Sequence, residues 1–150
     1  MPYIAESEPL TVFRNLLEDN WVEYKEIPKP IFVITNNPEE AIARIDLNRG
    51  DYIVIRIDAP ESIKYRGNIQ YYDRIFSIVL DLWTKKDRQR LRDIWKTVKA
   101  ICLDKKHNFS GYQLIRLNSY AEMTTETLNI WRGIIRLTVE SHGVVAESLL

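Results

Sequence analysis

IQYYDRIFSIVLDLWT (Ile69–Thr84) runs directly into KKDRQRLRDIWKTVKAIC (Lys85–Cys102), and the change of hydrophobic period between the two halves decides the fold. In the first half Phe76, Ile78, Leu80 and Leu82 fall on one side of an extended chain, and Ile75, Val79 and Trp83 on the other. A strand that is apolar on both sides belongs at the centre of a sheet, with helix over one face. Ser77 and Asp81 interrupt the second face, which is expected to meet a partner subunit or water. In the second half Leu91, Ile94, Trp95, Val98, Ile101 and Cys102 recur at helical spacing, with Lys85, Arg92, Lys96 and Lys99 opposite them. Thr84 and Asp87 make a capping-box-like pair at its head, so a helix is predicted over Asp87–Cys102.

Upstream, Leu10, Phe13, Leu16 and Leu17 share the face of a short helix, introduced by Ser7 as cap and by Pro9, whose missing N–H costs nothing there. Pro28 and Pro30 forbid helix, and IFVIT (Ile31–Thr35) reads as a buried strand. Asn37-Pro38-Glu39-Glu40 repeats the helix entry pattern ahead of Ala41, Ile42 and Ile45. Asn48-Arg49-Gly50 is a turn, and YIVIRID (Tyr52–Asp58) is a β-branched strand expected to stop at Pro60. ESIKYRGN (Glu61–Asn68) is polar and holds Gly67, as a projecting hairpin loop before Ile69 does. Downstream, YQLIRLNSY (Tyr112–Tyr120), after the reset at Gly111, and LNIWRGIIRLTVES (Leu128–Ser141) form a closing hairpin, with Trp131, Ile135, Leu137 and Val139 on one face. The expected architecture is one α+β domain over residues 1–150: a mostly antiparallel sheet with a long hairpin, packed by an N-terminal and a central amphipathic helix.

Composition bounds the chemistry. The 150 residues, 45% of them hydrophobic, suffice to bury about two-thirds of the unfolded surface without a disulfide or a metal. Basic and acidic residues balance at 21 each, so net charge gives no push toward nucleic acid or membrane. A single cysteine excludes an internal disulfide, and no apolar run approaches a membrane span. Without the order of a signal peptide at the start, an intracellular, cytoplasmic protein is expected.

Charge is nonetheless segregated. Residues 84–106 hold nine Lys or Arg against three Asp, whereas the first fifty residues hold nine acids against five bases. A basic helix face can neutralise phosphates. The ordinary reading, a solvated outer face, is favoured over it, and docking to an acidic surface is a third. His107 and His142 lack companions at ligand spacing, so no metal or other cofactor is expected. Cys102 lies on the apolar side of its helix, where a thiol acts as a small hydrophobe. Asp73 with Asp81, or Asp58 with Glu61, could be drawn as acid and base, but their spacing singles out no reaction. No phosphate loop or nucleophile elbow is present. Asn108-Phe109-Ser110 matches a glycosylation sequon, which has meaning only on a secretory route. The aromatics Tyr52, Tyr65, Tyr71, Tyr72, Trp83 and Trp131 suit core or interface anchors better than a base-stacking platform.

IVIRID (Ile53–Asp58), the segment ESIKYRGN, the strand RIFSIVLDLWT (Arg74–Thr84) with its following helix, and NIWRGIIRLTVE (Asn129–Glu140) come in an order that resembles the tail-terminator and tail-completion proteins of tailed viruses. Related minor tail and head-tail joining proteins share it. The resemblance spans Phe13 to Glu140 and lies in element order and polarity pattern. It implies a non-catalytic virion protein that forms a homo-oligomeric ring, commonly a hexamer, at the head-proximal end of the tail tube. Such a ring stops tube growth and faces the head connector, in the virion tail or the host cytoplasm. The hairpin residues Glu61, Lys64, Tyr65 and Arg66, the strand residues Asp73 and Arg74, and Arg92, Lys96 and Lys99 on the basic helix are then the candidate interface residues. A nucleic-acid-binding module using the basic helix, and a small enzyme without a linear motif, are the alternatives.

Overall fold

The computed structural model describes residues 9–21, 27–35, 40, 43–66, 68–104, 114–123 and 130–144, with backbone alone for 65, 66, 68–72 and 142–144. The described elements run in the order α1 (Pro9–Asn20), β1 (Ile31–Ile34), β2 (Tyr52–Arg66), β3 (Asn68–Thr84), α2 (Arg88–Asp104), β4 (Leu114–Met123) and β5 (Trp131–Val144). The strands form one sheet in the order β1-β2-β3-β5-β4, antiparallel except for the parallel pair β1 and β2. This is the expected α+β architecture, with β3 at its centre. The last strand enters between β3 and β4, so the unit β3-α2-β4 is a split crossover with β5 filling the gap.

The sheet register explains why β3 is apolar on both sides. Ile78, Leu80 and Leu82 are fully buried beside Ile53, Ile55, Ile135 and Leu137, and they share one core with Phe13 and Leu17 of α1 and Ile94 and Val98 of α2. Each such side chain contributes about 1.5–3 kcal/mol when removed from water. On the opposite face Tyr52, Val54 and Val79 are buried as well. Across the strands Arg56, Val79 and Arg136 form one row, and Tyr52, Trp83 and Arg132 another.

Helix α1 begins at Pro9 and buries the four predicted residues together with Val12. Its last turn is closed by Asn20, whose Nδ2 donates to the Leu16 carbonyl at 2.9 Å. Trp21 beyond it meets Phe32 of β1 edge to face. Helix α2 buries Leu91, Ile94, Val98, Ile101 and Cys102 as predicted, and also Asp93 and Thr97. Asp93 accepts from Gln89 Nε2 at 3.0 Å, while the Thr97 hydroxyl donates to the Asp93 carbonyl.

Four local expectations are corrected. Thr84 does not cap α2: its hydroxyl donates to Asp51 Oδ1 at 2.6 Å. Asp87 is the cap, accepting from the Arg90 backbone N–H at 2.7 Å, two residues inside the helix start where orphan donors lie. Pro60 does not end β2, because it falls in a register irregularity between Ala59 and Ser62, where a missing N–H interrupts no ladder bond. The eight-residue loop is therefore absent: β2 runs to Arg66 and β3 starts at Asn68. Finally, β1 is only half-buried, since it stands at the sheet edge.

The predicted helix after Asn37 is seen at Glu40, Ala43 and Arg44, with an ion pair from Arg44 to Glu40. Ser7, Asn37, Pro38, Glu39, Ala41, Ile42, His107, Asn108 and Gly111 lie outside the described residues.

Candidate functional site

Three surfaces carry the candidate residues, and the sheet separates them. The first is an arm. Among the described residues β2 has no outer strand neighbour beyond the pair Ile34–Ile55, and the pairing of β4 with β5 is described as far as Leu114–Glu140. The ends of β2, β3 and β5 thus continue as three strands, through Lys64–Asp73 and Asp73–His142 in register. Residues 58–64 are all exposed, and Ile63 is 51% exposed. Arg74 forms an ion pair with Glu61 across the hairpin and lies over the Phe76 ring at 5.1 Å. Lys64 and Asp73 occupy opposed positions on the other face. Of the candidate arm residues, Tyr65 and Arg66 are placed by backbone only, so their side chains lie outside the described set.

The second surface is the outer face of α2 with β4. Arg92 donates to Glu122 Oε1 at 2.8 Å, and Arg88 reaches the other oxygen at 3.4 Å. Lys99 sits 5.5 Å above the Trp95 ring, which stacks in parallel on Tyr120 at 4.7 Å. Lys96 is exposed beside them. Gly133 on β5 makes the stack possible: a Cβ there would lie 2.9 Å from Cε1 of Tyr120. Burial, then the negative charge of Glu122, push the Tyr120 hydroxyl up to about 12, against the pull of Arg92. Burial alone raises the Cys102 thiol to about 12, so it is no nucleophile at neutral pH.

The third surface is the sheet face away from the helices, which Ser77 and Asp81 mark in the sequence as meeting a partner subunit or water but whose arginines were not among the candidate residues. Arg56 donates to Asp81 Oδ2 at 3.2 Å, and Arg132 approaches Oδ1 of the same carboxylate at 3.8 Å. Arg132 also lies 3.9 Å above the Trp83 ring. Arg136 pairs with Asp58 at 3.5 Å and Arg116 with Glu140 at 3.1 Å. The signal for this face was present in the sequence as Arg56, Arg132 and Arg136 at alternate positions of strands, but their common face follows only from the strand order.

The same geometry dissolves both acid pairs drawn from the sequence. Asp73 and Asp81 lie on one strand roughly 26 Å apart, and Asp58 and Glu61 are each held by a different arginine. No group of three or more His, Cys, Asp or Glu that could hold a metal occurs among the described residues. None of the described helices is long and apolar enough to cross a membrane. Helix α2 also spends part of its charge inside the molecule: Arg90 Nη1 donates to Asp51 Oδ2 at 3.0 Å, with both side chains largely buried.

Compared with known proteins, the chain matches no protein-family model and no curated sequence.

Proposed function

We propose that this chain is a structural subunit of a virus tail, a tail-completion or head-tail joining component that works as a homo-oligomeric ring without catalysis. The observation that carries this reading is the three-stranded arm, with its exposed residues 58–64 and no outer strand neighbour to β2 beyond Ile55 among the described residues. An exposed strand edge is a template for another chain, and an arm of this length extends beyond the core that its own helices cover. The order of elements, with a long hairpin leading into the central strand and amphipathic helix, supports the assignment to tail ends. In this reading the arm contacts the neighbouring copy or the tail tube, and the remaining surface meets the head connector.

The pairing of Arg88 and Arg92 with Glu122, and of Arg90 with Asp51, favours a structural role for the helix charges over phosphate binding. Light scattering on the purified chain tests the proposal. A closed species of several copies is expected, whereas a monomer at every concentration up to the millimolar range overturns it. Adding the chain to polymerising tail-tube protein should shorten the tubes seen by electron microscopy.

A further inference from the structure

We propose that the arginine-bearing sheet face receives the C-terminal end of α1 from a second copy of this chain. The inference rests on the oligomeric reading above and names the surfaces that meet. On the sheet face four guanidinium groups, Arg56, Arg116, Arg132 and Arg136, stand against three carboxylates, Asp58, Asp81 and Glu140. Asp81 is shared by two of them, leaving a surplus cation. Each guanidinium has five donors, and these contacts use only some of them. Arg116 and Arg136 are 60% and 49% exposed.

Two buried atoms on this face are also unsatisfied. Asp81 is 8% exposed, and neither its Oδ1 nor Nε of Arg132 has a hydrogen-bond partner among the described residues. Both belong to the Asp81–Arg132 ion pair, whose 3.8 Å separation leaves the guanidinium incompletely paired within the described residues. Arginine stacked on tryptophan, as Arg132 is on Trp83, is the kind of anchor that dominates protein interfaces.

The complementary charge is on the same chain. Glu18 and Asp19 are exposed in the last turn of α1, which carries no basic residue. Carboxylates at the negative end of a helix dipole are unfavourably placed unless a cation faces them. Neither makes an ion pair among the described residues. They belong to the helix layer, whereas the arginines lie on the opposite face of the sheet, so the two patches cannot meet within one copy. Between copies they form a heterologous contact, which closes into a ring when the rotation permits. Bidentate carboxylate–guanidinium pairs would fix its register.

The experiment compares assembly of the full chain by light scattering at low and high salt. Glu18→Lys with Asp19→Lys should fold at least as stably as the parent, since the dipole then favours the charge, yet lose assembly by tenfold or more in concentration. Arg116→Glu with Arg136→Glu should lose it too, and mixing the two variants should restore a mixed assembly. If the parent assembles and the Glu18/Asp19 variant assembles equally well, this inference falls while the oligomeric reading stands. A parent that is monomeric throughout removes both. Should the arginine variant prove unfolded by circular dichroism, Arg136→Gln carries the same comparison, and unchanged assembly with it counts against the proposal.

Discussion

Asp51 ties more of the molecule together than any residue the sequence singled out. Its carbonyl accepts from the Ile31 backbone, and its carboxylate accepts from Thr84 at the end of β3 and from Arg90 on α2. Removing one partner of such a largely buried pair strands the other charge. Asp51→Ala should therefore cost about 3 kcal/mol, a fall of roughly 10 °C in Tm, measured by thermal denaturation. Cys102 and Tyr120 give a pH signature. Both pKa values are raised in the folded state, so their stabilisation is complete below the ordinary values and is lost as pH rises toward about 12. Urea midpoints should therefore fall between about pH 9 and 12, and Cys102→Ala should flatten part of that slope. A thiol reagent at pH 8 should leave Cys102 unmodified until denaturant is added.

At the scale of elements, helix and strand periods were legible wherever one face is apolar. The α2 stripe from Leu91 to Cys102 was read correctly because six apolar residues at helical spacing admit no other conformation. What failed was punctuation. Pro60 reads as a stop in one dimension, but on a stretch of β2 with no outer neighbour among the described residues it is absorbed by a bulge. Thr84 and Asp87 both fit a cap, and only the position of Asp51 decides between them. Asp87→Ala should cost about 1 kcal/mol, seen as a Tm lower by about 3 °C, while Thr84→Val should instead disturb the Asp51 contact. Gly133 was invisible as a packing device, because the ring that fills its place belongs to β4. Gly133→Ala should destabilise by about 1–3 kcal/mol, and the loss should shrink in a Tyr120→Ala background, measured as a double-mutant cycle by urea denaturation.

For the whole molecule, the α+β class and the central strand followed from hydrophobic pattern, while the strand order did not. Nothing in Leu114–Met123 or Trp131–Val144 states that the later strand lies beside β3 and the earlier one at the edge. That fact aligns Arg56, Arg132 and Arg136 on one face and leaves the arm as three strands. On the candidate surfaces Glu61 and Arg74 pair on one face of the arm while Lys64 and Asp73 share the other, Arg92 is committed to Glu122, and the alignment of the outer-face arginines follows only from the strand order.

The placement of β5 between β3 and β4 also sets a condition on how the chain acquires its shape. During synthesis β3, α2 and β4 are made before the strand that joins them. An interrupted translation product stopping before residue 131 would hold the split crossover open, with Leu80 and Ile115 facing solvent across an empty lane. Such a nascent chain is a natural client for chaperones, and native structure can be completed only once the segment through Val144 has emerged and threaded into place.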